Sequence, residues 1–188
     1  MELMEAEQAI KALLPSKRYR HSLGVSQTAG KLAAKYGADR DKAELAGMLH
    51  DIAKYFPDDA LTAMLQRRPD YGTDFLSYSD KLWHAPAGAI YAEEKCGIDD
   101  TEILQAILYH TTGRAGMSLL EKIIFLADYI EPGRDFPGVD EVREAAKHDL
   151  DEAVFLELQK TTIYLMEKRQ RVYPKTFEAY NDLAGRNN

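Results

Sequence analysis

The sequence predicts an all-α fold, and three features predict it. Apolar residues recur every three or four positions along nearly the whole chain, Pro and Gly fall where those periodic runs break, and no stretch alternates apolar and polar residues as a half-buried strand would. With 188 residues, 45% of them apolar, the chain is long enough for one sizeable core and too short to require two, so residues 1–188 are expected to form one domain.

Taken in order, a short first helix from about Glu5 to Leu14 stops at Pro15, and a second runs from Ser16 to Tyr36, where Gly37 supplies the cap. Asp41-Lys42-Ala43-Glu44 has the form of a capping box and opens a third helix, which carries His50-Asp51 and ends before Pro57. A fourth extends from about Pro57 to Arg68, and the stretch from Pro69 to Lys81 mixes Pro, Asp, Gly, Ser and Tyr without a period, reading as a loop. His84-Ala85-Pro86 starts the next helix, with Pro86 in its first turn and Gly97 after its last. Asp100 caps a helix through Ile103, Ile107 and His110 to the break at Thr112-Gly113. Ser118-Leu119-Leu120-Glu121 is a second capping box, and it opens a strongly apolar helix to Ile130 that Pro132-Gly133 terminates. Three more helices are expected, from Asp140 to His148, Asp151 to Arg171 and Pro174 to Leu183.

Bulk properties exclude several classes. A mean hydropathy of −0.42, with no apolar run approaching ~18 residues, excludes a membrane span. The acidic start Met1-Glu2-Leu3-Met4-Glu5 lacks the basic-then-apolar pattern of a secretory signal, which favours the cytoplasm. Cys96 has no second cysteine to pair with and reads as a thiol at a helix end. A net charge of −7 argues against a nucleic-acid surface, which needs a concentrated basic footprint. A phosphate ligand would need cations beyond Lys and Arg to hold it.

Against that background, polar residues on apolar helix faces stand out. His21 shares its face with Val25, Thr28 and Leu32, and Arg18 lies one turn before it. His50 has small neighbours, Ala43, Ala46, Gly47 and Ala53, and Asp51 follows Gly47 and Met48, so both polar groups have room beside them. His110 follows Ile103, Ala106 and Ile107 on its own face. Asp128 follows Ile124 and Phe125, where a lone carboxylate is expensive. His84 stands at a helix start beside Trp83, from which it can lean into a cleft. Singly, each histidine is better read as a hydrogen-bonded core or surface residue, and Asp128 could pair with an arginine or cap a turn. Jointly, four histidines and two aspartates at inward positions of five helices point to a metal centre. His148, with Glu141, Glu144 and Asp149 around it, belongs to a solvated face and has no role. Imidazoles and carboxylates without thiolate suit Fe, Mn, Zn, Co or Ni in an open, catalytic site. Successive helical residues diverge by ~100°, so His50 and Asp51 cannot point at one ion in parallel, whereas Asp51 can reach sideways and bridge two.

The strings Arg20-His21-Ser22, His50-Asp51-Ile52-Ala53-Lys54, His110-Thr111-Thr112-Gly113 and Ala127-Asp128-Tyr129-Ile130-Glu131-Pro132-Gly133-Arg134 complete the pattern. From about Arg18 to Tyr173 the chain resembles the YqeK family of HD-domain phosphohydrolases. The resemblance implies an HD-type helical bundle with its metal site among the central helices. It also implies symmetrical hydrolysis of diadenosine tetraphosphate, and of related dinucleoside polyphosphates, to two ADP by a water activated at iron, with Mn, Co, Zn or Ni as substitutes. It gives His21, His50, Asp51 and Asp128 to a first ion. Asp51, His84 and His110 are the catalytic candidates, His84 and His110 serving either a second ion with Asp51 or the reacting phosphate. Glu131 is open between supporting a ligand and lying on the surface. Arg18, Lys54 and Arg134 flank the cluster and are expected to bind phosphates with help from Thr111, while Tyr173 is expected to touch a nucleoside or to serve as a core aromatic. The partner is then a small-molecule nucleotide, with neither nucleic acid nor membrane, and the oligomeric state, a homodimer included, is open. Competing readings are an HD-type nucleotidase or pyrophosphohydrolase on (d)NDP, (d)NTP or guanosine polyphosphates, a di-iron oxygenase, and a non-catalytic nucleotide sensor.

Overall fold

The computed structural model describes residues 1–185, and among these it forms ten α-helices and no strand. Helix α1 (Leu3–Leu13) begins two residues before its expected start because Glu5 reaches back to accept the Glu2 N–H at 2.9 Å. Helix α2 (Ser16–Tyr36) closes as expected on Gly37, whose φ of +79° is a left-handed conformation that costs glycine little. Helix α3 (Arg40–Leu49) corrects the sequence reading at both ends. Its cap is Asp39, whose carboxylate accepts the Lys42 N–H at 3.0 Å, so Asp41 lies inside the first turn. It also stops at Leu49, well before Pro57. From there the backbone tightens into i→i+3 bonds, Ile52 to Leu49, Lys54 to Asp51 and Phe56 to Ala53, each 2.9–3.0 Å long.

Helix α4 (Asp58–Arg67) is followed not by an open loop but by three 3₁₀ turns, Pro69–Tyr71, Thr73–Ser77 and Asp80–Leu82, which buried Tyr71 and Phe75 tie to the core. Then come α5 (His84–Cys96), α6 (Thr101–Tyr109), α7 (Leu119–Ile130), α8 (Val139–Ala145), α9 (Leu150–Glu167) and α10 (Pro174–Ala184). Helix α6 ends one residue before His110, and Gly113 at φ +63° turns the chain away. Helix α8 gives way to turns before His148, and α9 stops short of Arg171 because Arg169 takes a left-handed conformation, φ +52°.

Helices α2, α3, α6 and α7 form the centre, with α2 lying most extensively along α3 and α7 crossing both. Helix α5 covers α6, α1 packs on α3 and α2, and α9 joins α8 and α10 to the outside of α7. Fully buried Leu49, Ile52, Ile107, Ile123, Ile124 and Leu126 fill the space between the central helices. Among the described residues no helix is long and apolar enough to cross a membrane.

Candidate metal centre

The six residues singled out in the sequence converge. His21 comes from the second turn of α2, His50 caps the C-terminus of α3, Asp51 follows it, His84 opens α5, His110 caps α6, and Asp128 lies in the last turn of α7. Their donor atoms fall into overlapping groups. In the first, His21 Nε2 is 2.9 Å from Asp128 Oδ1, 3.3 Å from His50 Nε2 and 3.7 Å from Asp51 Oδ2, and His50 Nε2 is 3.2 Å from Asp51 Oδ2. An ion with bonds of ~2.1 Å spaces its donors from ~3.0 Å at right angles to ~4.2 Å when opposite, and these spacings lie at or within ~0.1 Å of that range. In the second group the other carboxylate oxygen, Asp51 Oδ1, is 3.1 Å from His84 Nε2 and 3.7 Å from His110 Nε2, and the two imidazole nitrogens are 3.2 Å apart. Asp51 therefore faces both groups with one oxygen each. This is the sideways reach expected of Asp51: beyond the end of α3 the backbone continues in i→i+3 turns, and one carboxylate oxygen meets His50 while the other meets His84.

Local hydrogen bonds decide which nitrogen each ring offers. His50 Nδ1 lies 2.7 Å from the Gly47 carbonyl and His110 Nδ1 2.7 Å from the Ile107 carbonyl; a carbonyl only accepts, so both Nδ1 atoms carry the proton. His21 Nδ1 likewise donates to Glu131 Oε1 at 3.0 Å. In the neutral rings the Nε2 lone pairs then point into the cluster. Asp51 is buried, and no hydrogen bond forms on its Oδ1 despite the short approach of His84. Lone pairs facing lone pairs around a buried, unbonded carboxylate oxygen are what a cation would satisfy, so the residues fit a divalent metal. Burial alone would raise the Asp51 carboxyl; the imidazoles of His50, His110 and His84 outweigh it and hold the group well below the usual range. Burial pushes His84 down to about 4 against the pull of Asp51, which leaves this ring neutral at pH 7.

The three expected cations stand around this cluster. Arg18 Nη1 donates to Asp51 Oδ2 at 2.7 Å, Lys54 Nζ lies 3.1 Å from His84 Nε2, and Arg134 binds Asp128 through both its side chain and, at 2.7 Å, its backbone carbonyl. Burial lowers the Lys54 ammonium below its ordinary value. Thr111 Oγ1 is buried without a hydrogen-bond partner. Tyr173 departs from the nucleoside-contact expectation: it is 2% exposed, its ring stacks on Phe75 at 4.6 Å and its hydroxyl donates to Asp74 at 2.5 Å. It is the core aromatic of the two alternatives, fastening the segment before α10 to the 3₁₀ turns. His148 is exposed beside Glu144, as expected.

A cleft of about 880 Å³ opens beside the cluster, where Arg18, His21 and Arg134 meet Arg20, Tyr55 and Phe136. The last three were not legible as site residues. Tyr55 and Phe136 belong to connections distant in sequence, and Arg20 carries no periodic signal beyond standing next to His21.

The chain belongs to the HD domain family, whose family model matches residues 18–133, a span that contains all six cluster residues. Within that family it is closely related to symmetrical bis(5'-nucleosyl)-tetraphosphatases. It is 50% identical over 179 residues, 95% of each chain, to the one from Halalkalibacterium halodurans, and 46% identical over 181 residues, 96% of this chain and 97% of the relative, to the one from Bacillus subtilis. The fold matches the crystal structure of a predicted HD superfamily hydrolase involved in NAD metabolism from Clostridium acetobutylicum with a TM-score of 0.93 at 42% identity, covering 99% of this chain and 98% of that one.

Proposed function

We propose that this protein hydrolyses diadenosine tetraphosphate and related dinucleoside polyphosphates symmetrically, releasing two ADP. The observation that carries the reading is the gathering of Asp128, His50 and Asp51 within 3.7 Å of His21 Nε2, with the second oxygen of Asp51 turned to His84 and His110, in a chain so close to the symmetrical tetraphosphatases. His21, His50, Asp51 and Asp128 would hold a first ion, and Asp51, His84 and His110 a second. We take iron as the resident metal; the donor set of imidazoles and carboxylates, without thiolate, supports iron and equally admits Mn, Co, Zn or Ni. Bound there, such an ion lowers the pKa of a water and polarises a phosphoryl oxygen.

In the reaction, water oxygen bonds to one inner phosphorus, the central P–O–P bridge breaks, and the leaving ADP takes the bridging oxygen. The chain's part is to hold the tetraphosphate in line and to offset its charge. Arg18, Lys54 and Arg134 border the cluster and supply three cations for that purpose. His84, neutral at pH 7, can accept a hydrogen bond or hold an ion but has no proton of low affinity to give, which argues against a general acid at this position. The cleft beside Arg18 and Arg134 has a volume within the ~300–1,000 Å³ of small-molecule pockets, and the aromatic rings of Tyr55 and Phe136 in its lining support a seat for one nucleoside half.

The test is product analysis with diadenosine tetraphosphate under several added divalent metals. ADP as sole product is expected. AMP plus ATP would refute the symmetrical reading, and cleavage of mononucleotides without turnover of the dinucleotide would replace it with a nucleotidase.

A further inference from the structure

Resting on the metal reading above, we infer that Glu131 is the positioning residue of the centre: it fixes the ring of His21 so that Nε2 faces Asp128 and the ion, and Gly24 is the vacancy on α2 that lets it do so. Glu131 caps the C-terminus of α7 and is 5% exposed. Its Oε1 accepts from His21 Nδ1 at 3.0 Å and its Oε2 accepts from the Gly133 N–H at 2.5 Å. Among the described residues the carboxylate pairs with no lysine or arginine; His21 is its one ionic partner. Arg134 acts on it only across space, without an ion pair; its one direct ionic contact is the imidazole, and a ligand histidine donating its far N–H to a buried carboxylate has that arrangement.

The seat is built for this one group. A Cβ on Gly24, three residues beyond His21 on α2, would lie 2.7 Å from Glu131 Oε2, and one on Gly133 would lie 2.9 Å from Oε1 and 3.0 Å from Oε2. The backbone that carries Glu131 is pinned from α8, where Arg143 donates to the carbonyls of Ile130 at 3.0 Å, Glu131 at 2.9 Å and Arg134 at 2.8 Å. Every atom of the carboxylate is thus placed by a neighbour or used by one.

Glutamine at this position separates charge and acceptance from shape. Both oxygens of Glu131 accept, whereas an amide accepts at one end and donates at the other. In Glu131→Gln the amide must therefore either oppose the Gly133 N–H or donate to His21 Nδ1, and the second choice moves the ring proton to Nε2, the ligand atom.

The experiment titrates Co²⁺ into the metal-stripped protein by calorimetry, follows the cobalt absorption bands, and measures the melting temperature of each stripped protein. Glu131→Gln and Glu131→Ala are expected to weaken Co²⁺ about 10- to 100-fold. Gly24→Ala should weaken it similarly in the otherwise unchanged protein and add nothing in the Glu131→Ala background, where its methyl group enters vacated space. Wild-type Co²⁺ affinity in Glu131→Gln, or a Gly24→Ala effect that adds fully to Glu131→Ala, overturns the inference, as does a fall in stripped-protein melting temperature with affinity unchanged, the mark of a purely structural residue. If the unchanged protein binds no Co²⁺, the metal reading fails and takes this inference with it; if only the variants behave like wild type, the inference fails alone.

Discussion

Gly47 gives a quantitative test of how the centre is held, because two effects of known size oppose each other there. The residue lies in the last turn of α3 where that helix meets α2, and a Cβ built on it would sit 2.9 Å from Ser26 Cα, 3.1 Å from Ser26 N and 3.3 Å from the Val25 carbonyl carbon. All three are backbone atoms of a 21-residue helix, so relief requires moving α2 against α3 rather than rotating a side chain. Overpacking of this kind costs ~1–3 kcal/mol, and the upper part of that range applies because nothing flexible can yield. Helix propensity works the other way, favouring alanine over glycine by up to ~1 kcal/mol. The expected net loss for Gly47→Ala is about 1–2 kcal/mol, which for a chain of this length lowers the melting temperature by roughly 2–8 °C. Gly30→Ala is the paired control: its Cβ would meet Glu44 Oε1 and, at 2.7 Å, Cγ, atoms of a single partly exposed side chain rather than of backbone, which a change of rotamer can turn aside, so the propensity gain should survive. Thermal unfolding of the metal-free proteins measures both. The Gly47 carbonyl also orients His50, so cobalt affinity should fall in Gly47→Ala and not in Gly30→Ala. An unchanged or raised melting temperature in Gly47→Ala would refute the claim that the α2–α3 crossing leaves no room for a methyl group.

Four further outcomes are expected. Asp51→Asn and His50→Ala should lose both metal content and hydrolysis of diadenosine tetraphosphate, as should chelation of the wild-type protein, whereas His148→Ala should change neither; activity in stripped Asp51→Asn would end the proposed mechanism. Lys54→Met keeps the length of the side chain and removes its charge, so it should cost ~1.5–3 kcal/mol of transition-state binding, roughly 10- to 150-fold in kcat/KM, with metal content unchanged. Tyr173→Phe should lower stability by ~0.5–1.5 kcal/mol through the lost bond to Asp74, leaving KM for the dinucleotide where it was; a raised KM would restore the nucleoside contact. Burial holds the Glu157 carboxyl well above its usual range, Asp128 adding to the effect and Arg134 opposing it. The unfolded chain then loses this proton first, so stability falls above pH ~4.3 by up to about 1.4 kcal/mol per pH unit; Glu157→Gln should remove that slope in urea titrations of the metal-free protein, gaining on wild type at pH 8 and not at pH 4.

The sequence carried the helices and the donor residues because both are local signals. Caps such as Ser118 and Asp100 satisfy backbone N–H groups within three residues, and a histidine on an apolar face is anomalous against its own turn. What was hidden depends on contacts between distant segments or on where a helix gives way. The capping form of Asp41 to Glu44 competed with Asp39, and only the formed bond to Lys42 decides between them. The period of α3 continues past Leu49, so the change to i→i+3 bonding had no signature. Arg143 looks like the partner of Asp140 on a surface helix, yet most of its bonds go to carbonyls 9 to 13 residues earlier. Tyr173 stood open between a nucleoside contact and a core aromatic because the partner it stacks on is 98 positions away, at Phe75.

That most of the donors sit at helix ends has a physical reason. Within a helix every carbonyl is engaged by the N–H four residues on, and side chains leave the axis at fixed angles; in the last turn the carbonyls are released and the angles relax. The chain uses this the same way twice. His50 after α3 and His110 after α6 each cap a helix, and each donates Nδ1–H to the carbonyl three residues back at 2.7 Å, so one local geometry fixes ring orientation and proton position together. His84 sits at the opposite kind of end, the first residue of α5, where no carbonyl is free to receive a ring N–H in this manner, and its ring nitrogens instead face Lys54 and Asp51. The two helix C-termini therefore supply rings that are oriented before any ion or substrate arrives, while His84 is held only by groups that themselves answer to the ligand. His84, outside the first group and held by no local carbonyl, should on substitution separate phosphate turnover from occupancy of the first metal position.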